Sequence, residues 1–204
     1  MRQLLVLAFL VSSSVIWAAA VPGGTIRSAE SMGLRTYELV LSPAITLAPS
    51  GAYLSSELRY QPAEDIGAGL AFGAGQVGFN FGSYAVWHIL PDLETQPAFS
   101  ILGGLYFNRF ELANYFVVKM APTLSKTWRW DGGRVSPYVA LPFSPSFRLG
   151  DPRNDLTMKV SVGTELVLSS LQGMRLWTEV GLGLMESAHE VVIAASYPFT
   201  ALGG

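Results

Sequence analysis

Between Leu156 and Leu184 the chain alternates with a period of two, and the two halves of the alternation differ sharply in chemistry. Leu156, Met158, Val160, Val162, Leu166 and Leu168 share one parity, while Thr157, Lys159, Ser161, Gly163 and Glu165 share the other. After Ser169-Ser170-Leu171-Gln172-Gly173 the pattern resumes. Leu176, Val180, Leu182 and Leu184 fall on one parity, and Arg175, Trp177, Glu179, Gly181 and Gly183 on the other. Successive side chains of a strand point to opposite faces, so this stretch predicts a hairpin with one apolar face and one small-or-charged face.

The same division recurs along the chain. Val77, Phe79, Phe81, Ala85, Trp87 and Ile89 oppose Gly78, Asn80, Gly82, Tyr84 and His88. Phe116, Val118, Met120, Leu124, Trp128 and Trp130 oppose Lys119, Thr123, Ser125, Thr127 and Arg129. Ten strand-like runs emerge, over 34–42, 52–60, 66–74, 77–89, 98–108, 115–130, 135–143, 156–168, 174–184 and 190–199, with turn-forming residues between them. Pro43 to Gly51 and Ser144 to Asp155 read as the longest connections. Pro122, Pro137 and Pro142 fall inside runs, and a paired strand has no place for a residue without an N–H except at a bulge or an end. Eight strands are therefore the alternative count.

Composition decides which face is outside. Half of the 204 residues are hydrophobic and only 14% are charged, against about 25% charged in an ordinary soluble domain. Such a chain has too few charges to cover a water-facing surface. A closed barrel with its apolar parity toward lipid resolves this, because every backbone group is hydrogen-bonded without helices. The fold class expected is therefore all-β, an antiparallel transmembrane β-barrel. The inside-out alternative, a soluble lipocalin-like barrel, is disfavoured by the many glycines on the polar parity, which suit a crowded interior.

The first twenty residues read as a cleaved signal peptide. Arg2 supplies the positive end, Leu4 to Leu10 begin the apolar core, and Ala18-Ala19-Ala20 offer small residues for cleavage. The expected organisation is a signal peptide over 1–20, a loose periplasmic N-terminal arm over 21–33, the barrel over 34–199 and a tail over 200–204. There are no cysteines and the net charge is −2, with the basic residues scattered. Disulfides, thiol chemistry and nucleic-acid binding are not expected.

The last run ends Val191, Ile193, Ala195, Tyr197 and Phe199 on alternate positions. This resembles the C-terminal strand of Gram-negative outer-membrane proteins, with Pro198 and the residues after Phe199 departing from the pattern. The resemblance implies an outer-membrane location, contact with outer-membrane lipid and insertion by the barrel-assembly machinery.

Candidate chemistry is sparse. Glu38, Glu57, Arg59, Lys119, Arg129, Lys159, Glu165, Arg175 and Glu179 lie on the inward parity. An isolated buried ion costs several kcal/mol, so an ion-pair network filling the lumen is expected; a channel or carrier for small solutes or lipids is the alternative. If the Ser169–Gly173 turn pairs Leu168 with Gln172, Glu165 faces Arg175 and Lys159 is diagonal to Glu179. Tyr60, Trp87, Tyr115, Trp128, Trp130 and Tyr197 are candidates for interfacial aromatic girdles. His88 and His189, the two histidines, lack a serine at the spacing that would place both on one strand face. Catalysis, a metal site and a cofactor are not expected, and a barrel hydrolase or acyltransferase ranks last among the readings. With the N-terminus periplasmic, connections after odd-numbered runs face outward.

Overall fold

The computed structural model describes residues 27–47, 50–76, 78–110, 113–150, 154–171 and 173–200. The expected signal peptide, the start of the arm and residues 201–204 of the tail lie outside these residues. Twelve segments follow in chain order: β1 (Thr36–Leu47), β2 (Ser50–Tyr60), β3 (Ile66–Gly75), β4 (Gly78–Leu90), β5 (Ala98–Phe110), β6 (Ala113–Ser125), β7 (Trp128–Trp130), β8 (Gly133–Ala140), β9 (Phe143–Arg148), β10 (Asn154–Leu168), β11 (Arg175–Met185) and β12 (Glu190–Thr200). A short 3-10 turn, Ser169–Leu171, is the one helical piece among the described residues.

The twelve segments make ten barrel staves. β8 and β9 hold one register against β6, with Thr123 opposite Ala140 and Met120 opposite Phe143. They also hold one register against β10, with Ser161 opposite Ala140 and Met158 opposite Phe143. They are a single stave interrupted at Leu141-Pro142. β7 extends β6 in the same way, pairing with the start of β8. All pairings are antiparallel, and β1 bonds to both β2 and β12, which closes the ring. The fold class read from the alternation is the one observed, with ten staves rather than eight.

Two expected connections are strand instead. β1 runs through Pro43 to Leu47 and β2 begins at Ser50. Pro43 fits because its nitrogen faces β12 at a point where that ladder skips from Leu41 to Ala44. Ser144–Arg148 belongs to β9, so the connection before β10 is also short.

The polar parity packs inward around glycine-sized gaps. A Cβ on Gly69 would lie 2.4 Å from the Tyr84 ring, and one on Gly163 would lie 2.3 Å from the Tyr138 ring. The glycines of the wall are the floor on which tyrosines from neighbouring staves lie flat. Tyr84, Tyr106, Tyr115 and Tyr138 join Leu102, Val117 and Ala121 in one buried cluster, and Val40, Trp177 and Ala194 form another.

Candidate functional site: the lumen

Inward positions of β1, β2, β10 and β11 carry charges that meet across the barrel. Arg59 binds Glu57 through Nε and Nη2 at 3.0 and 2.9 Å, and its Nη1 lies 3.5 Å from Glu38. Arg175 bridges Glu38 and Glu165, at 3.2 Å to each. The Tyr84 hydroxyl donates to Glu57 at 2.7 Å, the Ser196 hydroxyl donates to Glu38 at 2.5 Å, and the Arg59 guanidinium sits 5.3 Å from the Trp177 ring centre. Glu38, Glu57, Arg59 and Glu165 are almost completely excluded from solvent. Ionised groups persist there only because each meets an opposite charge and further hydrogen bonds.

A second cluster lies toward the opposite end. Lys159 binds Glu190, and the Tyr138 hydroxyl donates to Glu179 at 3.0 Å. Lys119, also buried, joins Lys159 and Glu190 in lining a small pocket of about 20 Å³, room for a single water, together with Pro142, Ser144 and Thr157.

Over its described residues, 27–33, the expected arm is not loose. Arg27, Ser28, Ala29 and Met32 are buried, and residues 27–30 are bound to the wall across one mouth. Arg27 approaches Glu38 at 3.7 Å, and Ser28 donates to Glu165 at 2.8 Å. The Ala29 amide donates to the Ser125 hydroxyl at 2.9 Å, and His88 Nδ1 donates to the Ala29 carbonyl at 2.8 Å. Glu30 binds Arg129 and Arg134. Polar groups of the mouth need partners, and the arm supplies them.

Three expectations about individual residues change. Arg129 has the inward parity but is two-thirds exposed (66%), because β7 carries it beyond the mouth. Tyr115 is buried inside with Val117 and Lys119 rather than lying in a girdle, since it shares their parity. The hairpin register also differs. Gln172 lies outside the described residues, and the observed ladder sets Glu165 opposite Trp177 and ends at Val167 opposite Arg175. Across the 3-10 turn the register of β11 against β10 is shifted by two residues from the expected one. Glu165 and Arg175 still meet, diagonally, whereas Lys159 takes Glu190. Sequence reasoning missed Arg27, Glu30, Arg134 and Glu190. Glu190 was legible by parity, because it opens the 190–199 run and alternates with Val192, Ala194 and Ser196.

The outer face is the reverse of the lumen. Leu41, Ile45, Leu70, Phe72, Val162, Leu182 and Ile193 are each more than half exposed. Trp87, Trp128, Trp130 and Tyr197 are exposed near the arm end of their staves, and Tyr37 stacks between Tyr60 and Phe199 at the same end. The opposite rim carries phenylalanines instead, with Phe107 packed against Phe79 and Phe81.

His88 is engaged by the Ala29 carbonyl and His189 Nδ1 accepts from the Gly183 amide at 3.1 Å, so both imidazoles are tied to main chain.

No family model and no curated protein matches this chain. Among solved structures, three barrels similar to this chain can be described. An outer membrane channel from Pseudomonas putida is 9% identical with a TM-score of 0.49, covering 87% of this chain and 100% of that one. A de novo designed transmembrane β-barrel is 12% identical with a TM-score of 0.42, covering 82% and 98%. The N-terminal β-barrel domain of Pseudomonas aeruginosa OprF is 10% identical with a TM-score of 0.35, covering 82% and 100%. At overlaps this low the functional reading rests on the barrel's own chemistry.

Proposed function

We propose that this protein is a non-enzymatic integral outer-membrane β-barrel with a structural or interaction role, its lumen closed by its own side chains. The observation that carries the reading is the inverted burial: charged residues are inside and the large apolar residues are outside. An apolar surface of this extent is unstable in water and is the expected surface of a lipid-embedded barrel. The Glu38–Arg59–Arg175–Glu165 network and the docked arm support a closed axial path.

Unboiled protein in detergent is expected to migrate anomalously on a gel and to shift on heating, because unfolding must break a continuous ring of strand pairs. In planar bilayers it is expected to show no large steady conductance. Identical mobility before and after boiling, with recovery from the soluble periplasm, overturns the membrane assignment. Steady ion flow through properly inserted protein overturns the closed lumen alone.

A further inference from the structure

One residue breaks the rule that governs the outer wall. On β5 the even-numbered residues from Ala98 to Asn108 are buried, so Phe99, Ile101, Gly103, Leu105, Phe107 and Arg109 point outward. By the same criterion the outward positions of the other staves are apolar, aromatic or small and neutral. Arg109 is the one charged side chain among the described outward residues of the staves. It stands opposite Phe79 on β4 and Asn114 on β6, one residue from the end of its strand at the rim away from the arm. The lumen charges of the ion network are paired, whereas no ion pair or side-chain hydrogen bond holds the Arg109 guanidinium among the described residues.

Beside Arg109 the rim is notched. The notch, an open hollow of about 290 Å³, is lined by Gly75, Gln76, Gly78, Phe79 and Arg109, where the β3–β4 hairpin meets the end of β5. Its floor is bare backbone for a steric reason. A Cβ on Gly78 would lie 2.0 Å from the Arg109 carbonyl, and one on Gly75 would lie 2.3 Å from the Ala52 carbonyl, so neither position accepts a side chain. Gln76 is oriented by the Ala52 amide, which donates to its Oε1 at 3.2 Å. That bond commits the oxygen and leaves the NH2 group of Gln76 to donate. Below the notch the wall is aromatic. Phe79 and Phe81 pack against Phe107, and Leu105 continues the exposed stripe along β5.

A cation this near the edge of the apolar belt costs only about 0–1 kcal/mol, so depth alone does not demand a counter-ion. Selection comes from the donors. The hollow holds a guanidinium and a primary amide and no carboxylate, and the planar fork of an arginine matches two phosphate oxygens at once. We infer that the notch between the β3–β4 hairpin and β5 binds the terminal phosphate of a lipid headgroup. Arg109 supplies the charge, Gln76 a second donor, and an acyl chain lies along Phe107 and Leu105. A terminal phosphate brings three acceptor oxygens and close to two negative charges, which uses both donors better than a singly charged phosphodiester. The continuous apolar wall beneath the notch makes a lipid, rather than a dissolved phosphate, the matching source. With the N-terminus periplasmic, that lipid stands in the outer leaflet. The inference rests on the membrane-barrel reading and adds a lipid-binding site to it.

The test uses the full mature chain in phosphatidylcholine vesicles containing phosphatidic acid with a photoactivatable group near the head of one acyl chain. Label is expected to concentrate on residues 79–81 and 105–109. Unlabelled phosphatidic acid is expected to displace it, phosphatidylglycerol to displace it weakly, and inorganic phosphate not at all. Arg109→Gln is expected to lower displaceable labelling about tenfold, on the scale of one charge-assisted hydrogen bond, and Gln76→Ala about threefold. Arg148→Gln removes a positive charge from the same rim but from the inward parity of β9, and is expected to change nothing. Heat-modifiability of each variant checks that the barrel is folded and inserted. Even labelling around the belt of such a barrel, or labelling that survives Arg109→Gln, overturns the site while leaving the membrane reading intact. An equal loss in Arg148→Gln reduces the binding to the general charge of the rim and overturns the notch. Displacement by inorganic phosphate overturns the lipid source, and equal displacement by phosphatidylglycerol overturns the terminal phosphate.

Discussion

Glu165 shows how a single lumen residue acts. It accepts from Ser28, lies 3.2 Å from Arg175 and is 3.6 Å from Arg134, joining the arm, β8, β10 and β11. Glu165→Ala is expected to destabilise the barrel by about 1–3 kcal/mol, the cost of leaving buried partners incompletely satisfied. Adding Arg175→Leu is expected to return part of that loss, as measured by urea unfolding in vesicles. A double variant as unstable as the sum of the singles would show that the two side chains do not act on each other. The glycine–tyrosine contacts make a second residue-level expectation. Gly163→Ala drives a methyl group into the Tyr138 ring, which already hydrogen-bonds Glu179. Overpacking of this kind costs about 1–3 kcal/mol, and Gly163→Ala with Tyr138→Ala is expected to be more stable than the sum of the two changes predicts.

At the scale of elements, connections at the arm end are fastened by short-range polar contacts. The loop after β4 is held to the β6–β7 junction by Asp92, which binds Lys126 and accepts from the Thr127 amide at 2.7 Å. Burial works against ionisation of Asp92, but these hydrogen bonds outweigh it and hold its carboxyl below the usual range. A depressed folded value means that the contribution is complete above the unfolded carboxylate range, near pH ~4, and is lost as pH falls through the folded value. Acid titration of stability is therefore expected to fall less steeply below that range in Asp92→Asn than in the parent. Parallel curves would show that this contact adds nothing to the loop's attachment. The alternation made the staves themselves legible, since Leu156–Leu168 and Leu176–Leu184 announce their faces residue by residue. Their ends were less legible. Pro43 and Pro145 look like turn residues in sequence, yet each sits in a strand where a neighbouring ladder leaves its missing N–H unneeded or open.

For the whole molecule, the docked arm is the largest departure from what local pattern suggests. It joins β1, β4, β6 and β10 through Glu38, His88, Ser125 and Glu165, four positions far apart in the chain. Ala29→Cys with Ser125→Cys is expected to form a disulfide in the inserted barrel without loss of heat-modifiability, given the 2.9 Å approach of the Ala29 amide to the Ser125 hydroxyl. Two thiols that stay reduced under mild oxidant would mean that the arm does not occupy the mouth in the membrane.

The sequence by itself determined the barrel, its inside and its outside. Period-two alternation combined with few charges leaves only one stable disposition of the two parities, apolar toward lipid and polar toward the lumen. Which inward charges become partners was decided by the tertiary structure. A partner depends on register and curvature, so a two-residue shift of register across the Ser169–Leu171 turn moved Arg175 to a diagonal of Glu165 and left Lys159 to Glu190 on another stave. The direction of each proline's missing donor is likewise invisible until strands are paired.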